Sequence, residues 1–422
     1  MSFSPVDWSY NTNIYEVNLR QYTDEGTFIA FARSLERLRN MGIETLWFMP
    51  VTPISQLNRK GSLGSYYACS DYTTTNPEFG TLDEFRTLVR EAQQLGFKVL
   101  IDWVANHTGW DHRWTREHPE YYVRNPNGNF IERNGWDDVI DLDYNNQELR
   151  RSMISAMRFW IDDCHIDGFR CDMAHLVPLD FWIEARTELD QQKRLFWLAE
   201  CEVADYHLAF DASYTWRWMH KTEDFARDQT DINGLWELLS DYNRDFPPSA
   251  FRAYFTSNHD ENTWNGTEYE KFGPAAKNLA VFSSLWNGIP LIYSGQEIPN
   301  LKRLKFFDRD PITWPANCDL QTFYKTLLSL RKKQPALRAG DPAVTTQRLW
   351  TGADNQVFAF KRCTQGSEVL VFLNYSTDGA TIHLTLNQQE SLYTNAFDGS
   401  EMKLGMEDYF NIPAWNFIIL KK

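Results

Sequence analysis

An α/β fold built on a parallel sheet, followed by a small β domain, is what the sequence predicts. Strand-like and helix-like periods alternate over roughly 300 residues, which calls for parallel strands joined by helical crossovers. Beyond Ala343 the helical periods stop and short alternating apolar runs take over. The 422 residues exceed what one hydrophobic core usually serves, so two or three domains are expected. The alternation fits a closed barrel and an open doubly wound sheet equally. Neither G-x-G-x-x-G nor G-x-x-x-x-G-K-[ST] occurs, so the nucleotide-binding version of the open sheet lacks its signature.

The elements follow in order. Asn13-Ile14-Tyr15-Glu16-Val17-Asn18-Leu19 alternates as a strand does. The spacing over 28–41 predicts a helix that stops at Gly42, and 43–50 predicts a second buried strand. Residues 81–95 predict a helix: Thr81 and Glu84 make a capping box, and Leu82, Phe85, Leu88, Val89, Ala92 and Leu95 form one apolar stripe. Gly96 ends it and 98–103 follows as a strand. A helix over 146–164 leads into a strand at 168–172, and 195–200, 253–260 and 288–295 continue the series. Two segments break the rhythm. Residues 108–143 are rich in Trp, Asn, Arg and Pro without a long apolar period, and read as an excursion after the third strand. Residues 356–362, 368–375, 381–386 and 409–420 predict the strands of the terminal β domain.

Composition narrows the function. Acidic residues outnumber basic ones (57 against 42, net −15), which argues against a nucleic-acid partner. No apolar run of about 18 residues is present, so no membrane span is expected. Six scattered cysteines make no C-x-x-C pair, so zinc and redox motifs are not expected. With no visible signal peptide the expected compartment is the cytoplasm. Aromatics reach 15%, with 17 Trp, 19 Tyr and 28 Phe, which suits flat rings stacking on sugars as well as core packing.

Several predicted strands end in polar groups: Asp102 to His107 after the third, Arg170-Cys171-Asp172 at the fourth, Glu200 at the fifth, and Asn258-His259-Asp260 at the seventh. Side chains alternate along a strand, so Arg170 and Asp172 face one way and Cys171 the other. An arginine beside an aspartate keeps it ionised, either as a structural pair or as a nucleophile. In a barrel the C-terminal strand ends share one face. Carboxylates and imidazoles meeting there from separate strands suit acid/base and nucleophilic work such as glycoside hydrolysis.

These residues carry a resemblance. The chain resembles the α-amylase family of glycoside hydrolases through DWVANH (102–107), IDLD (140–143), GFRCDMAH (168–175), LAE (198–200) and FTSNHD (255–260). The stretch Tyr66-Tyr67-Ala68-Cys69-Ser70-Asp71-Tyr72 also looks like the family's. The resemblance implies a (β/α)8 barrel over 1–107 and 144–343, a short inserted domain over 108–143, and a C-terminal antiparallel β-sandwich over 344–422. It implies that Asp172 is the nucleophile, Glu200 the general acid/base, and Asp260 the third carboxylate. Arg170 would steady the nucleophile, neutral His107 and His259 would bond to the sugar at the cleavage point, and Tyr67 would stack under it. A calcium ion held by Asn106 and Asp141 is implied as well. The implied activity is retaining hydrolysis of α-1,4 bonds in an α-glucan, starch or maltooligosaccharides. The alternatives are a 4-α-glucanotransferase, an α-glucosidase, or an inactive barrel that binds glucan or a partner. Trp110, Trp114, Trp136 and Trp264 are candidates for stacking further glucose rings, with packing as the alternative.

Overall fold

A computed structural model describes residues 3–386 and 389–422. Eight parallel strands close into a barrel: β1 (Ile14–Val17), β2 (Thr45–Phe48), β3 (Lys98–Trp103), β4 (Gly168–Cys171), β5 (Phe196–Ala199), β6 (Ala212–Tyr214), β7 (Phe251–Tyr254) and β8 (Ile289–Tyr293). Neighbours in sequence are neighbours in the sheet, and β8 closes on β1 in the register Ile14↔Leu291. The open-sheet alternative is thereby excluded.

Period-two alternation explains what each strand does. Tyr15, Phe48, Ile101, Phe169 and Trp197 pack outward with the surrounding helices. Ile14, Trp47, Leu100, Leu198 and Tyr214 belong to the other face of the wall. Two residues beyond Ile14, Leu100 and Leu198 along the same face stand Glu16, Asp102 and Glu200, all buried. The pattern that fills the barrel with apolar groups thus ends in carboxylates at its C-terminal mouth.

Helix signals act as their chemistry predicts. Thr81 and Glu84 form a reciprocal capping box on helix Leu82–Gln94. The Asn146 side chain accepts from the N–H groups of Glu148 and Leu149 at the start of Gln147–Cys164. The single helix expected over 28–41 is two, Phe28–Ala32 and Leu35–Met41, because Ser34 N turns back to Phe31 O and tightens the chain between them. Gly42, at φ 100°, ends the second.

Between β3 and β4 an excursion folds over the barrel mouth, anchored where His107–Gly109 pairs antiparallel with Val139–Asp141. The terminal region carries a six-stranded antiparallel sheet and a two-stranded one. Leu370 and Phe372 of the first pack with Ile382, Leu384 and Ile412 of the second. The run expected at 409–420 splits at Pro413 into Glu407–Ile412 and Phe417–Lys421, in different sheets.

Gly168 opens β4 where a Cβ would lie 2.0 Å from the carbonyl oxygen of Phe196. The two strands reach their register only because that atom is missing. Gly168→Ala is expected to destabilise the fold by about 1–3 kcal/mol or more, read as a lowered urea midpoint at unchanged m-value.

Candidate active site

Asp172 follows directly on β4, Glu200 on β5, and Asp260 stands six residues beyond β7. All three line one cleft of about 440 Å³, together with Tyr67, His107, Trp136, Met173, Trp264, Phe306 and Phe307. At its floor lies Arg170, wholly buried. Its Nη1 donates to both oxygens of Asp102 (3.0 and 3.1 Å) and to Asp172 Oδ1 (3.1 Å). Its Nη2 stands 2.9 Å from Glu200 Oε2, and its Nε donates to the Tyr214 hydroxyl at 3.3 Å. The guanidinium also lies over the Trp47 ring, 4.8 Å from its centre.

One cation therefore serves three carboxyls. Burial and the Glu200 charge push the Asp172 carboxyl well above its ordinary range, while Arg170 pulls the other way. The sequence predicts only the pull of Arg170, because it does not show that Glu200 shares the guanidinium. Asp102 is pushed up to about 6 by burial, again against Arg170. Met173, with φ 39°, turns the backbone so that its N–H donates to Glu200 Oε2 at 2.9 Å. That left-handed residue sits between the two carboxyls in sequence and fixes one against the other.

A second network joins β1 to β7. His259 Nδ1 donates to Glu16 Oε1 at 2.5 Å, and its Nε2 lies 2.8 Å from the Tyr67 hydroxyl and 3.1 Å from Asp260 Oδ2. Burial alone would discharge this imidazole, but the Asp260 and Glu16 charges outweigh it and hold it well above the usual histidine range. His259 is thus an imidazolium, which corrects the neutral ring expected from the sequence. Burial pushes Asp260 up, but the charge and hydrogen bond of His259 bring it below its ordinary range. His107 does meet the neutral expectation, pushed down to about 4 by burial. Asn106 Nδ2 donates to His107 Nδ1 at 3.1 Å, which leaves the ring proton on Nε2. Tyr67 lines the cleft and donates to Asp102 Oδ2 at 3.1 Å, whereas Tyr66 turns away to Asn18.

Of the four candidate tryptophans, Trp136 and Trp264 line the cleft. Trp114 is buried against Tyr72 and Tyr121, and Trp110 donates to the Asp137 carbonyl outside the lining. Sequence reasoning missed Glu16, Phe306 and Phe307. Glu16 carried a usable signal, a lone acid facing inward on β1. The two phenylalanines sit in an irregular loop after β8 with no period to betray them.

Comparison with known proteins adds to this geometry. Residues 10–309 match the model of the alpha-amylase catalytic domain. The chain belongs to the α-amylase family of glycoside hydrolases. It is 29% identical over 401 residues to alpha-amylase MalA of Haloarcula japonica, covering 89% of this chain and 57% of that protein. The crystal structure of an alpha-amylase from Lactobacillus plantarum superposes with a TM-score of 0.89 at 29% identity, covering 98% of this chain and 99% of that one. The noncanonic maltogenic alpha-amylase AmyB of Thermotoga neapolitana gives 0.90 at 29% identity, with 98% of each chain covered.

Asn106 and Asp141 offer only part of the donor set of the calcium expected on family grounds. Arg133 Nε donates to Asp141 Oδ2 at 2.6 Å and already supplies a positive charge to this carboxylate, while Oδ1 is buried without a hydrogen-bond partner. Asn106 is turned to His107. Calcium wants six to eight oxygens, and no group of three or more acidic, histidine or cysteine side chains able to hold a metal occurs among the described residues. Excess EDTA is expected to leave the melting temperature unchanged. Arg133→Ala, which strands a buried carboxylate, is expected to lower stability by about 1–3 kcal/mol in a denaturant titration.

Proposed function

We propose that the protein hydrolyses α-1,4-glucosidic bonds of starch or maltooligosaccharides with retention, through a covalent glycosyl-enzyme. The observation that carries this reading is the attachment of Asp172 and Glu200 to one buried guanidinium in a cleft that also holds Asp260. A retaining pair works at about 5–5.5 Å separation, and a shared arginine keeps two carboxyls close. The relatives named as alpha-amylases support the substrate class.

Each residue then has a task. Asp172 attacks the anomeric carbon while Glu200 gives its proton to the departing glycosidic oxygen, so the C1–O bond breaks as the ester to Asp172 forms. Water then attacks the same carbon, Glu200 takes its proton, and the ester releases Asp172. Asp260, kept ionised by His259, accepts from sugar hydroxyls and favours the cationic transition state. His107 donates from Nε2, and Tyr67 offers its ring to the sugar. The inactive-barrel alternative finds no support, since the three carboxyls are complete. Six unpaired cysteines, four of them buried, suit a reducing compartment such as the cytoplasm.

Asp172→Asn is expected to cut kcat on soluble starch by roughly 10⁴-fold or more while the protein stays folded by circular dichroism. Incubation with maltotriose separates the two chemistries: glucose and maltose alone mean hydrolysis, whereas longer products early mean transfer. A pH profile tests the electrostatics. Attack needs ionised Asp172, whose carboxyl is held above its ordinary 3.8, so activity falls away as pH drops through that raised value. The acid limb of kcat/KM is expected above pH 3.8; a limb at or below it contradicts the arrangement.

A further inference from the structure

We propose that the cleft is closed behind the sugar that Asp172 attacks, so that cleavage occurs near the non-reducing ends of short α-glucans and not at interior bonds of long ones. This deepens the hydrolase reading above and rests on it.

The closure is made by three loops laced together. In the loop after β2, Lys60 Nζ reaches Asp137 Oδ1 (2.6 Å) and Asp138 Oδ1 (3.2 Å) of the excursion between β3 and β4. Just beyond it, the same loop is tied to the loop after β8. Ser62 N and Oγ both donate to Asp308 Oδ1 (2.9 and 2.6 Å), and Leu63 N donates to the Phe307 carbonyl at 2.9 Å. Gly61, at φ 60°, lies so close that a Cβ would stand 2.5 Å from Phe307 Cβ. A surface ion pair alone contributes little. Here it is joined to backbone bonds and close packing on the other side of the same loop, so the wall is continuous.

That wall faces the site. Lys60 and Ser65 of the first loop, Asp138 of the second, and Phe306 and Phe307 of the third all line the cleft beside Tyr67. The Phe306 ring lies nearly parallel to that of Tyr67, 6.3 Å away at 18°. Direction follows from the chemistry. The sugar bonded to Asp172 rests on Tyr67, and the leaving chain departs past Glu200. Any glucose further toward the non-reducing end hangs from O4 of the attacked sugar, and the proposal sets it against the laced loops that line the cleft beside Tyr67. A wall on that side limits how far the chain extends beyond the attacked sugar, which selects chain ends.

The test compares two probes with the wild-type protein: 4-nitrophenyl maltoheptaoside, and the same compound with its non-reducing glucose capped by a 4,6-ethylidene group. Cleavage is followed by chromatography. The capped compound is expected to be cut at least about ten-fold more slowly. Equal rates overturn the closure and leave the hydrolase reading standing. Failure to cut either probe or starch overturns the hydrolase reading itself. In Lys60→Ala/Asp308→Ala, which removes the side-chain ties on both sides, the capped-to-uncapped rate ratio is expected to rise severalfold. An unchanged ratio, with uncapped cleavage reporting a folded protein, removes the wall from the explanation.

Discussion

A single buried guanidinium sets the terms for the mouth of the barrel. Arg170 has no exposed surface and touches Asp102, Asp172 and Glu200 at 2.9–3.1 Å. With Glu16 and Asp260, five carboxyls meet two cations, Arg170 and His259. Full ionisation would leave a buried negative excess, which a low-dielectric interior does not tolerate. Burial accordingly raises the carboxyls of Glu16, Asp102 and Asp172 against the pull of the two cations. The same electrostatic strain that burdens the fold is what the proposed reaction uses.

The fold tolerates this because the charge is confined to one end. Below the carboxylates the same strand faces carry Ile14, Trp47, Leu100 and Leu198. At the barrel's other margin, buried Arg362 of the β domain donates to the carbonyls of Trp286, Leu337 and Arg338, which ties that domain to the barrel. The site itself rests on strand ends, while the loops that shape access to it are tied to one another, Lys60 with Asp137 and Ser62 with Asp308. The chemistry and the access to it therefore sit on different parts of the chain.

How much of this the sequence carried depends on whether the signal was local. Strands with alternating polarity were legible, and so was the accumulation of Asp172, Glu200 and Asp260 at their ends. β6 was not, because three residues are too few to show a period. The break in the helix over 28–41 was hidden because its apolar spacing continues through the kink at Ser34. The charge on His259 was legible only in part: Asp260 is its neighbour in sequence, but Glu16, its second partner, stands 243 residues away on β1. Arg133, which pairs with one oxygen of Asp141, was likewise out of sight in the pattern that marked Asn106 and Asp141 as oxygen donors. Local pattern set the scaffold and placed the acids; partners brought in from other strands set their charge states.

The proposed chemistry turns on which atom bonds to the sugar. The most direct measurement is to trap the glycosyl-enzyme with 5-fluoro-α-glucosyl fluoride, digest the protein, and locate the added fluoroglucosyl mass by tandem mass spectrometry. The label should sit on Asp172, in the peptide that carries Arg170 to His175 unless a cut falls between them. A label on any other side chain would contradict the assignment. So would the absence of a label alongside undiminished hydrolysis of starch.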